Sequence, residues 1–164
     1  VSTHAKYSPS GAHGWMNCSD WQADPRSSEY AEWGTAAHEL AAMCVTEDRT
    51  PGAYRNRIIK VEGNDYKVDQ DMAECVEDYL AYIKGIPGDL LVEQRLPIDH
   101  LTGEEGAKGT ADAVILAGDE LIVADLKTGK GVKVDAENNE QLQMYSLAAL
   151  REFGVVNEFK RVRM

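Results

Sequence analysis

Apolar residues recur at helical spacing from about Ser28. Tyr30, Trp33, Ala37, Leu40, Ala41 and Cys44 fall on one stripe, and Ser27 or Ser28 is placed to cap its start. A second stripe of Met72, Cys75, Val76, Tyr79, Leu80 and Ile83 predicts a helix over about 69–84, stopped by Gly85 and Pro87. The segment between them, 48–67, reads as a polar connection around Pro51, Gly52 and Gly63. The period then falls to two. "DLLVEQRLPI" alternates as a strand, and after a charged, Gly-rich loop the stretch from Thr110 to Lys127 reads as an apolar hairpin turning at Gly118-Asp119. A third helix is expected from about Ala136 to Phe153, with Asp135 as its cap and Gly154 as its terminator. "VNEFKRVRM" opens a further strand. Two helices, three strands, a helix and a strand predict an α/β (α+β) sheet with helices packed on it.

Residues 1–27 break this order. Their Ser, Gly, Pro and Asp content, with Trp15 and Trp21, suggests an irregular arm pinned by aromatics. The 164 residues are expected to form one domain over 1–164 carrying that arm. No apolar stretch reaches the ~20 residues of a membrane helix, and no signal-peptide plan is present, so the expectation is a cytoplasmic protein with no membrane partner. Cys18, Cys44 and Cys75 form no CxxC pair. Cys44 and Cys75 lie on helical stripes and read as buried thiols rather than a disulfide framework.

A net charge of −11 repels DNA overall, so any phosphate substrate needs a local cation or clustered basic residues. The hairpin suggests where. With a two-residue turn at 118–119, residue 117 faces 120, 116 faces 121, and Asp112 faces Asp125. Directly opposed residues have Cβ atoms roughly 4.5–5.5 Å apart, where like charges repel. Two such carboxylates call for a cation between them, and hard oxygen ligands suit Mg²⁺ or Mn²⁺ better than zinc. Lys127 follows Asp125 by two positions, beside the same point. An Asp-x-Lys on a half-exposed strand is commonplace; opposed aspartates on the apolar side of the same hairpin are far less so.

In "WGTAAHEL", Gly34 and His38 are one turn apart on the first helix, and the glycine, about 1 kcal/mol worse than alanine there, gives clearance near the imidazole. Gln141 and Tyr145 are spaced likewise on the third helix, with the reach to contact a phosphate or a base.

Together, "GTAAH" (Gly34 to His38), "GTAD" ending at Asp112, "ADLK" with Asp125 and Lys127, and "QLQMY" (Gln141 to Tyr145) resemble the PD-(D/E)XK nuclease superfamily in its RecB-like branch. The resemblance covers most of the chain, with the motifs in order on helix, strand, strand and helix. "SPSGAHGWMNC" and "DLKTGKGVKVDAENNEQLQMY" are more narrowly similar to an uncharacterised phage and prophage family within it.

The resemblance implies a restriction-endonuclease-like core, a mixed central sheet flanked by helices. It also implies a Mg²⁺- or Mn²⁺-dependent deoxyribonuclease acting on DNA in phage recombination or processing, with a recombination or phage protein as helper. His38, Asp112, Asp125 and the Leu126 carbonyl would bind the metal. Asp112, Asp125 and Lys127 would be catalytic, with Lys127 orienting or deprotonating the attacking water, and Gln141 and Tyr145 would position the strand. Glu93, on the neighbouring strand, is a secondary candidate. Lys127, Lys130 and Lys133 would line the exit from the hairpin, while Lys160, Arg161 and Arg163 form a basic end of unassigned position. Several RecB-like nucleases hold an iron–sulfur cluster on one early and three late cysteines. Cys18 fits the early position, but no late trio occurs, so no cluster is predicted: either the chain is a truncated piece of a longer protein or the cluster is absent. Two other readings compete: a nuclease-fold DNA-binding or scaffold subunit, and a phosphohydrolase of small substrates.

Overall fold

In a computed structural model of the chain, residues 5–22, 28–128 and 134–164 are described. Ser27, Lys130 and Lys133 lie outside them. Five α-helices and two sheets are present among the described residues, one sheet being mixed and four-stranded: an α+β architecture, as expected. The chain divides into two compact units, one from the segments 1–24, 87–125 and 134–164, the other from 25–86 and 126–133.

The first unit holds the mixed sheet. Strands β3 (Asp89–Pro97), β4 (Lys108–Ala117) and β5 (Glu120–Ala124) are antiparallel neighbours, and β6 (Arg161–Arg163) adds to β5 in parallel. The β4–β5 register is the one read from the sequence, with Ala117 opposite Glu120, Leu116 opposite Leu121 and Ala113 opposite Ala124. Gly118, at φ 63, supplies the left-handed residue the turn needs. Helix α5 (Glu140–Phe153) lays Leu142, Met144, Tyr145, Ala148 and Ala149 against Val114, Leu121 and Val123, a single buried cluster. Fully burying side chains of this size contributes roughly 1.5–3 kcal/mol each. The helix starts later than its expected cap: Asn139, not Asp135, accepts the Leu142 amide at 3.0 Å. Both residue types cap well, but the apolar face of the helix begins only at Leu142, so the nearer cap is the one used.

The N-terminal arm belongs to this unit and is less irregular than expected. A 3-10 turn (Pro9–Gly11) leads into the short helix α1 (Ala12–Asn17). Its aromatics do pin it: the Trp15 indole N–H donates to the Ser8 carbonyl at 2.8 Å, and Tyr7 meets Trp15 edge-on at 5.4 Å. His13 Nδ1 lies 3.0 Å from Glu140 Oε1 on α5. Between β3 and β4 the chain forms the single-turn helix α4 (Asp99–Thr102).

The second unit is built on α2 (Glu29–Thr46) and α3 (Gln70–Lys84). Ser28 caps α2 by accepting the Ala31 amide at 3.1 Å, and Asp69 caps α3 by accepting that of Met72 at 2.9 Å. Ala37, Leu40, Ala41 and Cys44 are buried as expected, whereas Tyr30 is exposed and Gly34 takes a buried place on the helix. On α3, Met72, Val76, Leu80 and Ile83 form the buried stripe.

The expected polar connection is instead structured. It carries a 3-10 turn (Pro51–Tyr54) and a hairpin of β1 (Ile58–Val61) and β2 (Asn64–Lys67). Glu62 and Gly63, at φ 51 and 92, make the turn, and Ile59 and Val61 point inward. The hairpin is fastened to α2 through Glu32, which is only 8% exposed and accepts from Asn64 Nδ2 at 2.7 Å and the Tyr66 hydroxyl at 2.8 Å. Among the described residues, no helix is long and apolar enough to cross a membrane.

Candidate active site

In the first unit, one level of the sheet carries two acids, with a third just past the end of β5. The β3–β4 register pairs Val92 with Ala113 and Gln94 with Ala111, so Glu93 stands opposite Asp112 at the rung between. The β4–β5 pairing ends at Ala113 and Ala124, and Asp112 and Asp125 are the next residues beyond that last pair. Glu93 and Asp112 therefore lie side by side on β3 and β4, with Asp125 immediately past the end of β5. Carboxylate oxygens of Glu93 and Asp112 are within 4.8 Å of one another.

Glu93 adopts φ 48, a left-handed conformation that is uncommon and strained for a residue with a side chain. The same place marks a change of phase. Gly109 faces Tyr145, and Ala111 belongs to the same buried cluster as Leu96, but beyond Asp112 the residue that joins that cluster is Val114. A strand alternating strictly would not supply Ala111 and Val114 to one side. The interruption of the ladder at Glu93 and this change of phase coincide at the acidic rung. Strained backbone of this kind tends to gather at functional sites.

The α5 residues close over the rung. Gln141 Nε2 donates to Asp125 Oδ1 at 3.0 Å, so this amide orients the carboxylate. Tyr145 is buried, and its phenol is pushed above the usual tyrosine range, first by burial and further by the charges of Asp125, Asp112 and Glu93, with the neighbouring Gln141 side chain acting the other way. Tyr145 feels all three carboxylates and stays protonated, a hydrogen-bond donor rather than a base.

The second unit holds the remaining sequence candidates. His38 is half-buried on α2, one turn beyond Gly34. A Cβ at Gly34 would sit 3.1 Å from the Thr128 hydroxyl, so the clearance expected of this glycine accommodates the chain just past Lys127. Leu126 is anchored by a side chain only 5% exposed, and Lys127 next to it is exposed.

The basic end is placed away from the acids. Arg161 reaches Asp119 at 3.2 Å, Lys160 reaches it at 3.8 Å, and Arg163 meets Glu120 at 2.6 Å. These carboxylates stand at the turn end of β5, five residues or roughly 17 Å of strand from Asp125. They offset one another and leave the acidic rung without help from this quarter. Cys18, Cys44 and Cys75 are all free thiols, Cys18 exposed and Cys44 buried.

Glu93, a secondary candidate in the sequence, stands beside Asp112 on the neighbouring strand. The register made its position readable, since "VEQ" on the strand before "TAD" pairs with it once the loop length is known. Its left-handed backbone left no mark in the residue types. No solved structure matches the chain. Over residues 4–164, nearly its whole length, the chain matches the family described as "Protein of unknown function (DUF2800)", and it belongs to that family.

Proposed function

We propose that the protein is a Mg²⁺- or Mn²⁺-dependent deoxyribonuclease, acting in the phage DNA recombination or processing that its sequence resemblance implies. The observation that carries the reading is the acidic rung: Glu93 and Asp112 on adjacent strands and Asp125 just past the end of the next, held by the Gln141 amide. Like-charged neighbours across a sheet are destabilising unless something offsets them. The neighbouring carboxylates of Glu93 and Asp112 supply hard oxygen donors of the kind that suit Mg²⁺ or Mn²⁺.

Asp112, Asp125 and Glu93 would hold the ion, and the sequence resemblance adds His38 and the Leu126 carbonyl as ligands. When bound, the metal polarises the phosphate and acidifies a bound water. Lys127 orients the attacking water and offsets negative charge as the phosphorus becomes five-coordinate. Tyr145, kept neutral by its surroundings, donates a hydrogen bond to a phosphate oxygen. Gln141 is a positioning residue acting through Asp125. The water oxygen bonds to phosphorus as it gives up a proton to solvent, the P–O bond to one sugar breaks, and the departing oxygen takes a proton from solvent.

Labelled linear and circular DNA incubated with Mg²⁺, Mn²⁺, Ca²⁺ or EDTA tests this. Cleavage is expected with Mg²⁺ or Mn²⁺ and lost in Lys127→Ala; cutting in EDTA, or undiminished in the variant, defeats it. Asp112→Asn is expected to weaken Mn²⁺ binding in calorimetry. A second reading is a DNA-binding or scaffold subunit with little catalysis; the engagement of Lys160, Arg161 and Arg163 by Asp119 and Glu120 takes basic surface away from a DNA substrate and so favours its scaffold form. DNA binding without cleavage in any metal selects it.

A further inference from the structure

The first unit contains a cleft of ≈ 510 Å³ beside the acidic rung. Its lining includes Arg95 from β3, Lys108 and Thr110 from β4, Ser8 and Ser10 from the N-terminal arm, and the ring of Tyr145. In register, Arg95 pairs with Thr110, and Lys108 pairs with Pro97. Arg95 is thus two residues along β3 from Glu93, and Lys108 four residues along β4 from Asp112. At the usual rise these are roughly 7 and 14 Å of strand. The cleft begins where the carboxylates end, and Tyr145 is common to both.

The two cations of the cleft are not engaged by a carboxylate of the described residues, unlike those at several other places in the chain. Lys60, Lys84, Lys160, Arg161 and Arg163 are each paired with a carboxylate. Among the described residues, neither Arg95 nor Lys108 has an ion-pair partner. Two acids also line the cleft, but they differ. Glu104 is turned to the arm, its two oxygens accepting the Lys6 and Tyr7 amides at 3.2 Å each. Glu105 is exposed and opposes an incoming anion.

One wall of the cleft depends on Gly109, which lets two lining rings pack directly on β4. A Cβ there would meet Pro9 Cγ at 2.8 Å and Tyr145 Cε1 at 2.9 Å, so any other residue would push these two lining rings aside. Two uncommitted cations, three hydroxyls and a polar cleft suit a run of phosphates, with the Arg95 guanidinium able to fork onto phosphate oxygens.

We infer that this cleft holds the sugar–phosphate backbone of a single DNA strand flanking the bond to be cut, with Arg95 and Lys108 on its phosphates. The inference rests on the nuclease reading above for the position of that bond. The 7–14 Å between the acids and the two cations corresponds to about two to four nucleotides at the ~3.4 Å rise of a stacked strand. The contacts are to backbone, so the cleft sets register and not sequence preference.

Anisotropy of a fluorescein-labelled single-stranded oligodeoxynucleotide, measured in EDTA over a salt series, reads the cleft without any cleavage. Arg95→Ala/Lys108→Ala is expected to bind at least about tenfold more weakly. Its slope of log K against log salt should be shallower by about 1.4, from two lost contacts at ~0.7 each. Glu105→Gln, an exposed and conservative change, is expected to bind more tightly and gives a readout that a folding defect cannot mimic. Unchanged affinity and slope in the double variant, or no gain in Glu105→Gln, overturns the inference. If the double variant also cleaves with unaltered KM, the cleft is dismissed while the nuclease reading stands. If no metal supports cleavage yet the double variant loses binding, the cleft stands as a strand site and the nuclease reading falls.

Discussion

Gln141→Leu separates two roles for one amide. The substitution keeps the helix propensity and much of the bulk of the side chain while removing the donor that meets Asp125 Oδ1 at 3.0 Å. A hydrogen bond to a charged group contributes about 1.5–3 kcal/mol. If the bond persists when metal binds, its loss falls mainly on folding. For a chain of 164 residues, with about 2–4 °C per kcal/mol, the melting temperature in EDTA should drop by roughly 3–12 °C. Metal affinity changes for a different reason: an untethered Asp125 must be immobilised on binding. That ordering costs about 0.5–1.5 kcal/mol, which is a rise of about 2- to 13-fold in the Mn²⁺ Kd. Paired thermal melts in EDTA and titration calorimetry with Mn²⁺ measure both numbers on the same protein. A lowered melting temperature with unchanged Mn²⁺ affinity would refute the argument, since Gln141 would then serve only the fold and Asp125 would not be a ligand.

Three other outcomes are expected. Gly109→Ala should cost about 1–3 kcal/mol by overpacking against Pro9 and Tyr145; an unchanged chemical-denaturation midpoint would show that these rings yield freely. Burial pushes the Cys44 thiol up to about 11, with Lys84 opposing the shift, so at pH 8 the exposed Cys18 should react first with a disulfide reagent and Cys44 only on unfolding. Equal rates in peptide-mapped labelling would count against the buried assignment. Burial, then the Glu32 hydrogen bond, pushes the Tyr66 phenol up from 10.0 to about 12. A pKa raised in the fold means stability that is full below pH 10 and lost between pH 10 and about 12. The melting-temperature advantage of wild type over Tyr66→Phe should therefore shrink across that window, and a constant difference would contradict it.

The hairpin of β4 and β5 was legible because a period of two and a Gly-Asp turn leave one register that buries its apolar face. Ser28 and Asp69 were legible as the boundary residues of α2 and α3, since a cap is a local interaction. The hairpin of β1 and β2 was not. Each strand has only four residues, β2 exposes three of them, and the inward pair Ile59 and Val61 is too short a run to reveal its alternation. Lys160, Arg161 and Arg163 could not be placed because β6 pairs with β5 across some forty residues, a choice of tertiary packing. The left-handed turn of the backbone at Glu93 had no signal at all, because glutamate is not a residue chosen for that conformation. Asp112, Asp125 and Gln141 were readable as a constellation, but the Gln141 amide bond to Asp125 depends on where α5 begins, and Asn139 fixes that four residues later than the sequence suggested.

Both compact units are assembled from separated stretches, and the chain passes from one to the other between Asp125 and Leu126. The acid and the amine of Asp125-Leu126-Lys127 thus belong to different bodies while remaining two peptide links apart, a reach of about 7 Å between their Cα atoms at full extension. Whatever breathing either body undergoes, covalent tethering keeps the proposed water-activating amine within range of its acidic neighbour. Cutting the gene at that crossing would divide the proposed chemistry itself, and neither of the two resulting fragments would hold either body whole.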